Sequence, residues 1–192
     1  MNQRAIAFLA AAVAASCLLT LGCAGRPAGP PGWVRVVPTR IGERAYYVGG
    51  LSAAPDAETG IEMAEADALA RIEEDARPRF IGRLDKALQQ SGIETTSVER
   101  LGFRTEGVEI YLDYLSEAAR RDSVYYRPCT PVDLGGREPD EGAVCQIFVL
   151  LSLGDGDWER QFVEAVMEIK RRRLHEGKQH LAEIADWMLD AR

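Results

Sequence analysis

The chain has 192 residues, with 30 acidic side chains against 23 Lys and Arg, and a formal net charge of −7. This length is enough for one domain with a sizeable core. Nucleic-acid binding depends on neutralising phosphates, so an acidic chain of this kind excludes nucleic acid as an expected partner.

The amino-terminal segment has the pattern of a bacterial lipoprotein signal. Arg4 supplies a positive charge, and residues 5–21 are uncharged and almost wholly apolar. A run of about 17 apolar residues lies at the lower limit for a membrane span, whereas a basic start and small residues at the end are typical of a cleavable signal. The sequence LTLGC resembles a lipobox, whose cysteine receives diacylglycerol. We predict a signal peptide over 1–22 and lipidation of Cys23.

Two alternatives remain for this segment. Cys17 follows Ala-Ala-Ser and could carry the lipid instead, although the mature chain would then begin with the apolar CLLTLGC. The segment could also be an ordinary signal peptide without lipid. Residues 23–33 are rich in Pro and Gly and are predicted to be a mobile tether. By resemblance to lipoproteins of two-membrane bacteria, Ala24 favours the periplasmic face of the outer membrane.

The first predicted strand lies in the sequence RAYYVGGLS at 44–52, where aromatic and β-branched residues are bounded by glycines. Gly49 and Gly50 indicate that another backbone passes close to this strand or that the chain bends there.

A long helix is predicted next. Thr59 and Glu62 fit a capping box, and Gly92 suits the left-handed residue that ends a helix. Pro78 interrupts the helix without ending the apolar pattern, so we predict one kinked helix. Apolar residues recur at helical spacing on both sides of the proline: Ile61, Ala64, Ala68, Ile72, Ala76, Phe80, Ile81, Leu84 and Leu88.

A second helix is predicted after a second capping box, formed by Thr96 and Glu99. Gly102 and Gly107 weaken this prediction, and the sequence VEIYL at 108–112 could instead be a strand. The apolar spacing favours the helix.

Two further strands are predicted at 123–129 and 144–153, joined as a hairpin. The second is apolar on both faces over 147–151, which indicates a central strand. Cys129 and Cys145 bracket the intervening loop and are predicted to form a disulfide, since disulfides persist outside the cytoplasm. Closing such a loop is worth about 3 kcal/mol. The alternative, a redox or metal pair, lacks C-x-x-C spacing and a nearby histidine.

The last helix is predicted from about Trp158, with Asp157 as its cap and Gly177 as a weak point. Its final part carries an apolar stripe of Leu181, Ile184, Trp187 and Met188. Two interpretations remain open for this stripe. It packs on the domain's own core, or it contacts a partner helix or a second copy of the chain.

Several of these segments together resemble the LPP20-type bacterial lipoproteins. The strand YYVGG at 46–50, the helix AEADALARI at 64–72 and the late strand QIFVLLSL at 146–153 carry the resemblance. It covers roughly Tyr46 to Leu153, and the Cys129–Cys145 loop and the last helix depart from it. The resemblance implies an α+β domain without catalytic residues that binds other proteins of the cell envelope.

No pattern of residues indicates chemistry. His175 and His180, five residues apart, point to different faces of a helix, so a shared metal is not expected. Lys170 to Arg173 form a short basic run, interpreted as a solvated face or as a contact with anionic lipid or wall polymer. Four acidic side chains are interpreted as a wet helix face and not as catalytic carboxylates: Glu58, Glu62, Glu65 and Asp67.

The sequence as a whole predicts an α+β fold with a small antiparallel sheet of about three strands. A long kinked helix, a second helix and a long C-terminal helix pack against it. Residues 34–156 form the domain and 157–192 a helical extension. We expect a non-enzymatic, lipid-anchored binding or scaffold module that uses no cofactor or metal and has a protein partner in the envelope. The alternative is a small-ligand carrier or an envelope enzyme without a recognisable motif.

Overall fold

The computed structural model describes residues 29–35 and 39–190. The chain divides into two units, 1–31 and 32–192, and every helix and strand described belongs to the second. A 3-10 helix occupies Gly32–Arg35, so the last two residues of the predicted tether belong to this second unit. The strands are β1 Thr39–Ile41, β2 Arg44–Ala54, β3 Arg120–Pro128 and β4 Val144–Gly154, and the helices are α1 Ala57–Ser91, α2 Ser97–Ala118, α3 Asp155–His175 and α4 Gln179–Asp190.

The four strands form one antiparallel sheet in the order β1-β2-β4-β3, which confirms the predicted α+β class. The predicted hairpin is β3–β4, and β4 lies inside the sheet as its apolar sequence indicated. The strand missing from the sequence prediction is β1. It has only three residues and joins β2 through Gly42 and Glu43, with Gly42 at φ 61°.

Helix α1 lies on β2 at a distance that only glycine allows. A Cβ added at Gly49 would stand 1.9 Å from the carbonyl oxygen of Ala64 and 2.4 Å from the amide nitrogen of Ala68. Ala64 and Ala68 are fully buried in this contact. The sequence-based expectation of a close backbone at this glycine pair is confirmed, and the passing backbone is that of α1.

The start of α1 differs from the prediction. The helix begins at Ala57 and its N-cap is Asp56, whose carboxylate accepts the Thr59 amide at 2.8 Å. The capping box on Thr59 and Glu62 is therefore wrong, because an aspartate three residues earlier satisfies the same free amides. The helix continues through the exposed Pro78 as a single element and ends at Gly92, which has φ 64°.

The second half of α1 packs against the other helices. Phe80 meets Tyr111 of α2 and Phe162 of α3, with ring centroids 5.9 and 5.8 Å away. Gly107 of α2 leaves room for Phe80, since a Cβ there would lie 2.4 Å from its ring. Helix α4 contacts both α1 and α3. All four helices and the sheet thus share one core.

The boundaries of the later helices follow from their caps. Thr96 and Glu99 form the predicted capping box of α2, and 108–112 is helical. Helix α3 begins at Asp155 with Gly154 as its N-cap, so the predicted start near Trp158 with Asp157 as the cap is wrong. Asp157 lies in the first turn, where its carboxylate accepts a hydrogen bond from the Gly154 amide at 2.8 Å. The last helix is not continuous. Gly177, at φ 71°, separates α3 from α4.

We expect Gly49→Ala to lower the free energy of unfolding by at least about 3 kcal/mol, because the new methyl group would collide with backbone and not with a movable side chain. Urea unfolding followed by circular dichroism measures this. Gly82→Ala is the matched control, because a Cβ there meets nothing within 4 Å. This helical substitution should stabilise the protein by about 0.5–1 kcal/mol. Equal effects of the two changes would contradict the close packing at Gly49.

Candidate functional site

A concave feature of the described structure lies along the part of the β2 edge that β1 does not pair with. Strand β1 pairs only with residues 44–46, so from residue 47 onward no described strand pairs with this side of β2. A groove of about 470 Å³ follows this edge. Its apolar lining comes from Val34 of the 3-10 helix, Val48 and Leu51 of β2, and Phe148 of β4.

The two glycines of β2 shape this groove from opposite faces of the strand. Gly49 admits α1 on the inner face. On the outer face, a Cβ at Gly50 would lie 2.8 Å from the ring of Phe148, so the aromatic ring fills the space that a side chain would take. Val48, beside them, is only 5% exposed. The groove therefore combines a packed apolar floor with a strand edge that no described strand pairs with.

Helix α1 contributes the polar wall of the groove. The Gly50 amide donates to the Asp67 carboxylate at 2.9 Å, and the Arg71 guanidinium lies 3.4 Å from the same oxygen. Both side chains are about 40% exposed, at 43% and 41%. Arg35 of the 3-10 helix also lines the groove. The groove is thus lined by two arginines and by one carboxylate, which already accepts the Gly50 amide.

A β-bulge in β4 places one residue beside the groove. Register shifts between β3 and β4 at this point, and the extra residue is Gln146, the one described non-glycine residue with positive φ, 64°. A left-handed conformation costs a non-glycine residue roughly 1–2 kcal/mol. Bulges often re-aim a side chain next to a binding site, and the exposed Gln146 lines this groove.

A second cleft, of about 370 Å³, lies between α1 and α3. Arg79 stacks on Trp158 with its guanidinium carbon 4.4 Å from the ring centroid, and Arg83 stacks on Phe162 at 4.1 Å. Arg83 also donates to both carboxylate oxygens of Glu159, at 3.2 and 2.6 Å. In these contacts the two guanidinium groups cover the rings of Trp158 and Phe162.

The predicted disulfide is present, with Cys129 and Cys145 bonded and their Cα atoms 4.8 Å apart. It closes a loop that is also held by polar contacts. Arg127 donates to both oxygens of Asp133 at 2.8 Å, and Thr130 donates its amide and hydroxyl to that carboxylate. These bonds hold the pKa of Asp133 well below its usual range.

The apolar stripe of α4 is mostly internal. Leu181, Ile184 and Met188 are at most 2% exposed and belong to the common core. Of the two interpretations left open by the sequence, the partner contact is wrong for these three residues, because α4 folds back against α1 and α3. Trp187 differs, since 41% of its surface is exposed.

The basic run in α3 is paired within the protein. Lys170 lies 2.5 Å from Asp186, and Arg171 and Arg172 lie 2.6 and 2.8 Å from Glu168. Arg173 is buried, not solvated, so the prediction of a wet face is wrong for this residue. Its guanidinium pairs with Glu106 of α2 and, at 2.8 Å, with Glu176, and it faces the ring of Phe103.

The acidic residues of α1 have different environments. Glu58 and Glu62 are exposed, and Glu65 pairs with Arg121 at 2.9 Å. Asp67 instead belongs to the groove. The sequence carried a signal for this position, since Asp67 and Arg71 directly flank the buried residues of the alanine-rich stripe. Without the sheet order, that stripe does not reveal which side of the helix borders an open edge.

The two histidines lie in different helices, His175 in α3 and His180 in α4. His180 pairs with Glu99 at 3.1 Å, and His175 lies at the exposed end of α3. Within 29–35 and 39–190, no three His, Cys, Asp or Glu side chains are grouped as a metal site. Cys17, Cys23 and the predicted signal peptide over 1–22 lie outside the described residues. None of the helices in the described part of the chain is long and apolar enough to cross a membrane.

No protein-family model matches the chain, and comparisons with curated proteins and with solved structures returned no match. The resemblance to LPP20-type lipoproteins stays a prediction.

We expect Arg173→Ala to lower the free energy of unfolding by about 2 kcal/mol. The change removes a buried cation that pairs with two carboxylates. The loss of stability is moderate because both carboxylates remain partly solvated and because the Nε atom of Arg173 has no hydrogen-bond partner to lose. Arg171→Ala is the control. Its side chain is 75% exposed, so a loss under about 0.5 kcal/mol is expected. Urea titration of both variants tests this, and equal losses would contradict the structural role of Arg173.

The structure also predicts how stability changes at alkaline pH. Burial raises the pKa of Tyr111 to about 12, and its hydroxyl donates to the Trp158 carbonyl oxygen at 3.2 Å. An unfolded tyrosine has a pKa of about 10. The native state therefore holds this proton more tightly, and its stabilising effect is complete below pH 10 and declines between about 10 and 12. Tyr111→Phe should reduce the slope of unfolding free energy against pH in that window. An unchanged slope would contradict this assignment.

Proposed function

We propose that this protein is a lipid-anchored, periplasm-facing module of a bacterial envelope that binds another protein and performs no catalysis. The observation that carries the proposal is the groove beside the open edge of β2. It unites an apolar floor, a strand edge with no partner strand in the described part of the chain, and a strained bulge. These features suit recognition of a polypeptide. The amino-terminal sequence supports the anchor through Cys23.

The second cleft supports the small-ligand alternative less well. Both carboxylates that line it are already in ion pairs, Glu159 with Arg83 and Asp155 with Arg40. A small charged ligand would have to displace these contacts. The groove at the β2 edge needs no broken ion pair to admit an apolar side chain, and protein binding is therefore the better supported function.

We expect Cys23→Ser to abolish incorporation of a radiolabelled fatty acid and to release the protein from membranes, because the thioether can form only on the thiol. Cys17→Ser should leave both properties unchanged. Labelling that survives in Cys23→Ser and disappears in Cys17→Ser would move the anchor to the earlier cysteine. Labelling in neither wild type nor variants would contradict lipid anchoring.

Partner binding can be tested in the intact envelope with a photo-crosslinking amino acid. The positions are Ser52 in the groove, Trp187 on α4, Val132 in the disulfide loop and Glu164 on α3. A discrete adduct from at least one position, at constant stoichiometry to this chain, is expected. If no position gives an adduct in cells that carry the anchored protein, the binding function is wrong.

A further inference from the structure

We propose that the groove receives an extended acidic segment of another polypeptide, which adds to the sheet as a fifth strand beside Gly50–Ser52. This inference rests on the proposed binding function and names the chemistry of the partner. It follows from the hydrogen-bonding groups of the β2 edge, from its contrast with the other edge of the sheet, and from the charges around the groove.

The backbone of β2 directs hydrogen-bonding groups away from β4 at alternate residues. The Gly50 amide points away from β4, since it donates to Asp67 of α1. Alternate residues of a strand direct their N–H and C=O groups to the same side. The N–H and C=O of Ser52 therefore point to the open edge as well, and Ser52 is exposed. Among the described residues, nothing pairs with them. A strand laid here can exchange main-chain hydrogen bonds with both residues.

The opposite edge of the sheet carries features that prevent strand pairing, whereas the described part of the β2 edge carries none of them. Strand β3 carries Arg120, Arg121 and Asp122, has a register shift at Asp122, and ends at Pro128. Charges, bulges and prolines are the features by which natural edge strands avoid pairing. The open part of β2 has the sequence VGGLSAA, without a charge or a proline. Its small residues leave space for an approaching backbone.

The side chains around the groove complement an added strand on both of its faces. Residues of an added strand alternate between the two faces of the sheet. On the outer face they meet the apolar surface of Val34 and Phe148, and on the inner face they meet Arg71 of α1. Arg35 and Arg71 outnumber the single carboxylate, on a chain whose formal charge is −7. An acidic segment with alternating apolar residues is complementary to this arrangement.

Asp67 controls access to the edge. Its carboxylate occupies the Gly50 amide that an incoming carbonyl group would need. When a strand binds, Asp67 can remain paired with Arg71, which already lies 3.4 Å away. The Asp67 side chain is thus a replaceable partner for an edge amide, and its removal should favour binding.

The test uses the full mature protein labelled with nitrogen-15 and a blocked nine-residue peptide of alternating valine and glutamate. Hydrogen exchange is followed by NMR. In the free protein the Ser52 amide should exchange rapidly. At saturating peptide its exchange should slow by at least about tenfold, because a new hydrogen bond protects it. A peptide with lysine in place of glutamate should bind several-fold more weakly, and a peptide methylated on every amide nitrogen should not bind.

Variants of the protein separate main-chain pairing from side-chain contact. Ser52→Pro removes the outward N–H and should weaken binding by about tenfold, the factor expected for losing one hydrogen bond together with steric interference. Ser52→Ala keeps the N–H and should bind within about twofold of wild type. Asp67→Ala should tighten binding several-fold. If Ser52→Pro proves unfolded, the methylated peptide supplies the same comparison on the unaltered protein.

Four results would overturn the inference. The first is a Ser52 amide that is already protected from exchange in the free monomer, which would mean that the chain itself covers the edge. The second is protection that appears only on self-association, which would make a second copy the occupant. The third is binding of the methylated peptide as tight as that of the parent peptide, and the fourth is a peptide that produces no change at Gly50 or Ser52. A crosslinked partner at Trp187 or Val132 alone would also contradict this site while leaving the proposed binding function intact.

Discussion

The contact between the backbone of α1 and Gly49 of β2 is the constraint on which the rest of the structure depends. With no side chain at this glycine and only alanines facing it, helix and strand come within reach of each other's main-chain atoms. This contact places the first half of α1 over the two inner strands. It buries Ala64, Ala68 and Ile72 against them. A larger residue at position 49 would lift the helix from the sheet, and the apolar stripe of α1 would lose its cover.

The length of α1 explains why three other helices are present. A helix of 35 residues spans about 52 Å, and a strand of 11 residues spans about 37 Å. The helix must therefore extend beyond the sheet that covers its first half. Phe80, Leu84 and Ala87 on this projecting part are fully buried. Helices α2, α3 and α4 provide that cover, which is why the end of the chain is part of the core.

The groove is a consequence of the same packing. Because α1 crosses β2 at Gly49, the residues that flank its buried stripe, Asp67 and Arg71, lie beside the edge of the strand. Among the described residues, β1 pairs with β2 only as far as Tyr46, and the 3-10 helix supplies the opposite side of the groove with Val34 and Arg35. The elements that form this surface also hold the core together. Gln146 differs from them, because its strained backbone serves the groove and not the packing of the core.

Residues close together in the chain specify the elements with strong local signals. The α2 capping box, the left-handed end of α1 at Gly92, the apolar central strand and the pairing of Cys129 with Cys145 all depend on residues near one another in the chain. The sequence also indicated that a backbone passes close to Gly49 and Gly50. The environments of several other residues depend on contacts between distant parts of the chain. Whether Leu181 and Met188 face the core or a partner depends on the break at Gly177 and the direction of α4 after it. Whether Arg173 is solvated depends on Glu106, 67 residues away. Asp67 differs from Glu62 only because an open strand edge lies beside it. In each case a residue's role is set by a neighbour distant in sequence, and periodicity within one element contains no information about that neighbour.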